Sequence, residues 1–204
     1  MAHSPLLRSG GVAVLEGLFD PATTQGLWQE ALHGPRREDE CPAGADDEQV
    51  RGGTPARRLL SVEGGPLQES LFGHPEVAAL LARQVGSPVR PCGLRATYSI
   101  YHRKGAHLDV HRDVVGCDLA LIACLHDSQP DAEGGATDVW LDDALTPLGR
   151  LREGGGSAPT RVALRPGQAM LLHGGVLPHR IRPLEAGRLR VVSLMCFEIL
   201  GAAG

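Results

Sequence analysis

Between residues 93 and 198, short apolar runs alternate with turn residues along the chain. Each run is short enough for a strand, and Gly, Pro or Asp separates most of them from the next. Many short strands with turn residues between them are typical of a β-sandwich or a β-barrel. The runs are LRATYSIYH, HLDVHRD, LALIACLHD, TDVWL, TRVALR, AMLLHGG and RLRVVSLMCFEIL. The pattern therefore predicts a double-sheet β core in this part of the chain.

The N-terminal part has a different pattern, in which helical periodicity follows one strand. Residues 11–19 alternate well enough for a half-buried strand. Asp20 followed by Pro21 is typical of a helix start, and we expect this helix to continue to about residue 33. Residues 66–84 have the apolar spacing of a helix with one buried face, and the sequence GHP at 73–75 predicts a break within it.

Two long segments lack regular apolar spacing. Residues 34–56 are rich in charge, Pro and Gly and predict a long surface loop. Residues 142–159 interrupt the β region and predict either a flexible surface loop or a lid over a substrate. We expect a single domain over residues 1–204, of the α+β class but mainly β. Its helical support region and loop (1–92) would pack against the β core (93–198).

The composition is that of an ordinary globular protein and excludes several classes of function. Of 204 residues, 42% are hydrophobic and 22% are charged, and the formal net charge is -4. Nothing builds a basic face for nucleic acid, so we predict no such partner. We find no signal-peptide pattern and no apolar run long enough to span a membrane. The cysteines form no CxxC pair and predict reduced thiols in a cytoplasmic protein; they are Cys41, Cys92, Cys117, Cys124 and Cys196.

Four candidate metal ligands recur at every second position of one run: His107, Asp109, His111 and Asp113. In an extended strand all four would point to one face. A His-x-Asp pair together with a distant His makes the facial triad that suits non-haem Fe(II). Three protein ligands leave positions on the metal for oxygen and a co-substrate. Two His-x-Asp pairs overlap here, and the spacing alone does not choose between them.

The sequence YHRKGAHLDVHRD resembles the start of the double-stranded β-helix in prolyl-4-hydroxylase-like members of the Fe(II)/2-oxoglutarate oxygenase superfamily. In that family a Tyr lies ten residues before the first metal His, with a Gly and an apolar residue between them. Tyr101, Gly105 and Leu108 lie at the matching distances from His111. The resemblance therefore implies His111 and Asp113 as metal ligands. The next elements in the family's order are an apolar strand and a glycine pair, here residues 119–125 and Gly134-Gly135.

The run PHRIRPLEAGRLR resembles the distal pattern of the same family, in which Pro and then a basic residue follow the second metal His. His179, Pro183 and Arg188 fit this pattern, whereas the alternative ligand, His173, precedes two glycines and has the context of a turn. The resemblance implies that Arg188 binds the far carboxylate of 2-oxoglutarate in bidentate fashion and that Tyr101 donates its hydroxyl to it. Other families of the superfamily use a longer offset, which makes Arg190 the alternative.

The resemblance implies a dioxygenase with a jelly-roll, cupin-like core. It would use Fe(II), 2-oxoglutarate and O2 to oxidise a C–H bond, most often by hydroxylation, and release succinate and CO2. Asp113 disfavours halogenation, because related halogenases replace this carboxylate. We expect a small amino-acid-like or peptidyl substrate, of the kind met in bacterial secondary metabolism, in contact with His107, Asp109 and Arg190. The alternatives are a cupin-type metal dioxygenase that does not use 2-oxoglutarate and a non-catalytic β-barrel binding module.

Overall fold

The structure of the protein is a computed structural model that describes residues 4–42, 51 and 54–201. Its helices are α1 (Pro5–Arg8), α2 (Pro21–His33), α3 (Pro66–Phe72), α4 (Pro75–Val85) and α5 (Leu148–Arg152). Its strands are β1 (Val12–Glu16), β2 (Arg36–Cys41), β3 (Arg57–Glu63), β4 (Val89–Pro91), β5 (Thr97–Tyr101), β6 (His107–His111), β7 (Leu119–Asp127), β8 (Thr137–Val139), β9 (Thr160–Val162), β10 (Gln168–Leu172), β11 (His179–Ile181) and β12 (Arg190–Ile199).

Helices α2, α3 and α4 begin and end close to where the sequence predicts, whereas α1 and α5 were not predicted. The side chain of Asp20 accepts a hydrogen bond from the Thr23 amide (2.6 Å), and Pro21 is the first residue of α2. This cap satisfies an amide that has no partner within the helix. The predicted break between α3 and α4 is confirmed, because Gly73 ends α3 and Pro75 opens α4.

The strands form one antiparallel sheet that curls until its two halves face each other. The order of the strands is β1-β10-β7-β12-β5-β3-β6-β11-β8-β9, with β2 paired to β3 and β4 paired to β12. Ile122, Met170 and Val192 from one half pack in a single cluster with Val139 and Ile181 from the other. The predicted double-stranded β-helix is therefore confirmed.

Strand β12 shows how the sheet separates two apolar layers. Val191, Met195 and Phe197 belong to the layer between the sheet and the helices. Val192 and Leu194 point the other way, into the interior of the barrel. The alternation follows from the two-residue period of a strand. Even-numbered residues of β12 thus face the barrel interior.

Two expectations about the loops and the core are corrected. Residues 36–41 are not loop but the edge strand β2, whose sequence RREDEC is mostly exposed and has no apolar alternation to reveal it. Strands β1 and β3 also join the sheet, so the β core is not confined to residues 93–198. Within residues 142–159, α5 buries Leu148 and Leu151 against Val110 and Trp140.

The expectation of five reduced cysteines is also wrong, because Cys117 and Cys196 form a disulfide bond. A turn closed by the Cys117 amide and the Val114 carbonyl brings Cys117 against β12, where its Cα lies 4.9 Å from that of Cys196. The sequence separation of 79 residues hid this pair. The expected cytoplasmic location loses the support of reduced thiols. Among residues 4–42 and 54–201, no helix has the length and apolarity needed to cross a membrane.

Candidate metal and 2-oxoglutarate site

His111, Asp113 and His179 form a buried cluster, called the metal cluster below. His111 ends β6 and His179 begins β11, and the two residues are direct partners across these strands. The Nε2 atoms of His111 and His179 lie 3.7 Å and 3.6 Å from Asp113 Oδ1. One potential ligand atom from each residue lies within 4.8 Å of the others. Two imidazole nitrogens and one carboxylate oxygen thus converge on one point.

The backbone orients both imidazole rings. His111 Nδ1 lies 2.8 Å from the Asp109 carbonyl oxygen, and His179 Nδ1 lies 3.0 Å from that of Leu177. Since a carbonyl only accepts, Nδ1 must donate, which leaves the Nε2 lone pair directed at the cluster. Burial lowers the pKa of His111 and of His179 to about 4. Both rings are therefore neutral at ordinary pH, the form that binds a metal.

Asp113 is held in place but lacks a partner for one oxygen. Its amide donates to the Gly174 carbonyl (2.8 Å), while its buried Oδ2 accepts no hydrogen bond from any described residue. A Cβ on Gly174 would lie 1.9 Å from this Oδ2, so only glycine leaves room for the carboxylate. A buried carboxylate without a donor is costly unless a cation is present. These residues therefore fit a metal ion.

The metal cluster agrees with the predicted ligand set, and His173 lies outside it. Sequence reasoning found His111, Asp113 and His179 but not the purpose of Gly174. It also missed Arg51, whose Nη1 pairs with Asp118 Oδ1 (2.6 Å) and whose Nε donates to the Asp113 carbonyl (3.3 Å). Arg51 therefore stabilises the loop that carries Asp113.

The expectation that four side chains share one face of β6 is wrong. Ile181 of β11 pairs with Leu108, but His179 pairs with His111, so β6 has one extra residue between these pairs. This β-bulge reverses the alternation. Leu108 and His111 therefore both line a cavity of about 800 Å³.

His107 and Asp109 are turned elsewhere by the same bulge. His107 Nδ1 lies 2.8 Å from the Gly105 carbonyl oxygen. Asp109 Oδ2 lies 3.7 Å from Arg152 Nε of α5. Neither residue is among the described residues that line the cavity. The structure does not bring these two candidates for substrate contact to the metal cluster.

A second buried cluster, called the arginine cluster, consists of Asp127, Arg188 and Arg190. Arg188 Nε and Nη2 donate to the two oxygens of Asp127, at 2.8 Å and 2.6 Å. Its Nη1 donates to the Gly134 carbonyl and lies 3.3 Å from Glu185 Oε2. The guanidinium group of Arg188 is therefore occupied on both edges by the protein itself.

Arg190 shares Asp127 but is left incomplete. Its Nη1 donates to Asp127 Oδ2 (2.9 Å) and to the Leu164 carbonyl (3.2 Å). Its Nε is buried and has no hydrogen-bond partner in the described part of the chain. Arg190 is the direct cross-strand partner of Tyr101, which is 2% exposed. Burial raises the pKa of Tyr101 to about 12, so its hydroxyl stays protonated and can donate.

The glycine pair after β7 packs against the arginine cluster. A Cβ on Gly135 would lie 2.9 Å from Arg190 Cδ, and the residue has a φ of +66°. Asp127 was not singled out from the sequence, although it ends an apolar strand where a buried carboxylate needs a partner. Two fully buried guanidinium groups share this one fully buried carboxylate.

The similarity of this protein to known proteins lies in its fold. The sequence matches no family model and no curated protein. Among solved structures, an oxidoreductase of the 2OG-Fe(II) oxygenase family from Burkholderia pseudomallei is similar with a TM-score of 0.69 and 13% identity, over 96% of this chain and 88% of the other. A prolyl-4-hydroxylase from Pseudomonas putida is similar with a TM-score of 0.61 and 15% identity, over 96% of each chain.

HygX from Streptomyces hygroscopicus, determined with nickel and 2-oxoglutarate bound, is a further similar structure. Its TM-score is 0.68 and its identity is 14%, over 98% of this chain and 88% of the other. The fold of the present chain is thus that of the 2-oxoglutarate/Fe(II) oxygenases, prolyl-4-hydroxylase among them. This confirms the resemblance at the level of the fold.

Proposed function

We propose that the protein is an Fe(II)- and 2-oxoglutarate-dependent dioxygenase. It would hydroxylate a C–H bond of a small amino-acid-like or peptidyl substrate and release succinate and CO2. The main support for this proposal is that two buried clusters in one barrel each contain a polar atom without a hydrogen-bond partner among the described residues, one on a carboxylate and one on a guanidinium group. Asp113 Oδ2 lacks a donor or cation, and Arg190 Nε lacks an acceptor, among the described residues. A metal ion suits the first and the carboxylate of a co-substrate suits the second.

His111, Asp113 and His179 would hold the iron. Two imidazoles and one carboxylate suit non-haem Fe(II), and three ligands leave sites for a co-substrate and O2. The iron, once bound with 2-oxoglutarate, supplies the activation of O2 that a C–H bond requires. The part of the protein is to fix the ligands in advance through the backbone carbonyls of Asp109 and Leu177.

For 2-oxoglutarate we propose Arg190 together with Tyr101 as the anchor of the far carboxylate. Arg190 has a buried N–H that finds no acceptor among the described residues, and its neighbour Tyr101 keeps its proton. Arg188, the residue that the family resemblance indicates, is already bound on both edges by Asp127 and Gly134. Arg188 would instead hold Asp127, which in turn positions Arg190.

The barrel interior around this anchor is apolar. Tyr101 packs with Leu59, Ile122 and Val192 in one buried cluster. An apolar lining strengthens the pairing of a guanidinium with a carboxylate and keeps water from the oxidising centre.

The size of the cavity next to the metal cluster supports a small substrate or a peptidyl one. The cavity beside His111 and Asp113 has a volume of about 800 Å³, within the range of small-molecule sites. The similar HygX has also been determined with hygromycin B bound. Such a cavity has room for an amino-acid-like molecule or for a side chain of a peptide.

The decisive experiment is anaerobic addition of Fe(II) and then 2-oxoglutarate to the folded protein. We expect a visible charge-transfer band that requires both additions and disappears with release of succinate when air is admitted. No band in protein of native circular dichroism would overturn the proposal. Iron-dependent oxidation without succinate would indicate the cupin-type dioxygenase, and the absence of any metal binding would indicate a binding module.

A further inference from the structure

The cavity that adjoins the metal cluster has a strongly cationic wall. Among the residues that the structure describes, five arginines line it, against two carboxylates, Glu63 and the candidate metal ligand Asp113. The arginines are Arg36, Arg37, Arg57, Arg95 and Arg112. The chain as a whole has a formal net charge of -4. The positive charge is therefore concentrated at this opening and is not a property of the whole surface.

Most of these arginines are already engaged by the protein. Arg57 Nε pairs with Asp39 Oδ1 at 2.7 Å, and Arg95 Nη1 pairs with Glu63 Oε2 at 3.1 Å. Arg112 donates to three backbone carbonyls, at 2.6 to 3.1 Å. These contacts fix the side chains of Arg57 and Arg112 in position. Arg36 Nη2 donates to the Leu32 carbonyl at 2.6 Å, so one arginine of the wall, Arg37, remains to be accounted for.

Arg37 is exposed and makes no ion pair or hydrogen bond with any described residue. Its place in the sheet is defined by the register, in which Arg37 pairs with Ser61 and Ser61 pairs with Ser99. Ser99 in turn pairs with Val192, whose side chain lies in the barrel interior. Arg37 therefore stands on the inward face of the wall.

The row of residues next to Arg37 leads to the proposed co-substrate anchor. Asp39 pairs with Leu59, two residues from the Arg37 pair on each strand. On the adjoining strands, Tyr101 and Arg190 are likewise two residues from Ser99 and Val192. Arg37 thus faces the barrel interior, as Tyr101 and Arg190 do, but lies two residues along the strands closer to the opening of the cavity.

We propose that the primary substrate carries an anionic group, a carboxylate or a phosphate, and that Arg37 binds it. This inference rests on the proposed oxygenase function, because it assigns the substrate of that same site. A guanidinium group with unused N–H donors binds both oxyanions in bidentate fashion. The neighbouring Arg36 and Arg112, which donate to carbonyls and not to carboxylates, raise the local potential and attract an anion to the opening.

The test measures binding of matched charged and neutral probes to protein loaded with Fe(II) and saturating 2-oxoglutarate under anaerobic conditions. Saturating 2-oxoglutarate prevents the probes from occupying the Arg190 anchor. The probes are benzoate with benzamide, and phenyl phosphate with benzyl alcohol, followed by calorimetry. We expect at least one anion to bind about tenfold or more tightly than its neutral counterpart, the factor of one charge-assisted contact.

Two variants locate the anion. Arg37→Gln should remove the preference for the anion. The control is Arg58→Gln, which should retain it, because Arg58 lies in the adjacent strand β3 on the opposite face of the sheet and pairs with Glu40 at 2.7 Å. Equal binding of charged and neutral probes, binding of neither, or a preference that survives Arg37→Gln would each overturn the inference. In these cases Arg37 serves only to protect the edge of β2.

The charge-transfer band of each loaded variant separates this inference from the proposed function. If the band forms normally and no anion preference exists, the substrate assignment is wrong and the oxygenase function stands. If the band does not form in the wild-type protein, the proposed function fails, and anion binding to Arg37 is then measured in the unloaded protein.

Discussion

The metal cluster and the arginine cluster differ in charge and in how they are built. The metal cluster takes two candidate ligands from one short run and has one carboxylate oxygen that accepts no hydrogen bond from a described residue. The arginine cluster joins the end of β7 to the start of β12 and has one guanidinium N–H without an acceptor in the described part of the chain. A protein that buries both deficits in one barrel is suited to a metal and an anion that bind together.

The largest effect should come from the metal cluster. His111→Ala removes a ligand, and we expect iron affinity to fall by more than about 100-fold, since loss of a mere supporting group costs 10–100-fold. The matched control is His107→Ala on the same strand, whose side chain is turned towards Gly105. Metal content after dialysis measures both. Equal loss of iron in the two variants would contradict the assignment to His111.

The next effect compares the two arginines. Arg190→Gln should weaken 2-oxoglutarate about 10–100-fold, the value of a charge-assisted contact. Arg188→Gln should instead lower the free energy of unfolding by about 3–5 kcal/mol, because it breaks a buried bidentate pair with Asp127. Titration of the charge-transfer band and denaturant unfolding separate the two roles. If Arg188→Gln alone abolished 2-oxoglutarate binding in a stable protein, Arg188 would be the anchor.

The same contrast explains how far the sequence could predict the site. The distance from Tyr101 led to the prediction of His111 and Asp113 as ligands, and the offset to Arg188 led to that of His179. The role of Arg188 depends on Asp127, which lies 61 residues away and accepts its hydrogen bonds only in the folded chain. No local pattern reports that contact. His107 and Asp109 were misplaced because one β-bulge reverses the alternation of β6.

The fold was predicted well where apolar periodicity is strong and poorly where it is weak. The helices α2 to α4 and most strands after residue 93 follow from spacing and capping residues. Strand β2 was missed because it is a charged edge strand, held by backbone pairing with β3 rather than by buried side chains. The disulfide between Cys117 and Cys196 was missed because the pairing of β7 with β12, which brings them together, joins parts of the chain 79 residues apart.

A smaller effect should follow from crowding the metal cluster without removing a ligand. The Cβ of Gly174→Ala would lie 1.9 Å from Asp113 Oδ2 and must displace that carboxylate. We expect iron affinity to fall about 10–100-fold, as for other groups that orient a ligand. Gly93→Ala is the matched control, because no described atom lies within 4 Å of its Cβ position. Unchanged iron affinity in Gly174→Ala would show that Asp113 is not fixed there.

The smallest effect concerns protons on the metal cluster in the metal-free protein. Burial lowers the pKa of His111 and of His179 to about 4, below the value of about 6.5 in an unfolded chain. The unfolded chain therefore binds protons that the folded one does not, and stability falls as the pH falls from about 6.5 towards 4. The loss is at most about 1.4 kcal/mol per pH unit for each histidine.

Burial raises the pKa of Asp113, so its protonation favours the folded state and offsets part of this loss at the acid end. Denaturant unfolding between about pH 7 and pH 5 measures the slope, and replacement of both ligands by Gln should make it shallower. Burial also lowers the pKa of His102 and of His173. These two histidines remain in both proteins, so they cancel from the difference. Equal slopes would mean that His111 and His179 are not buried in the neutral form. The metal cluster would then lack the neutral imidazoles that suit it to a metal and distinguish it from the arginine cluster.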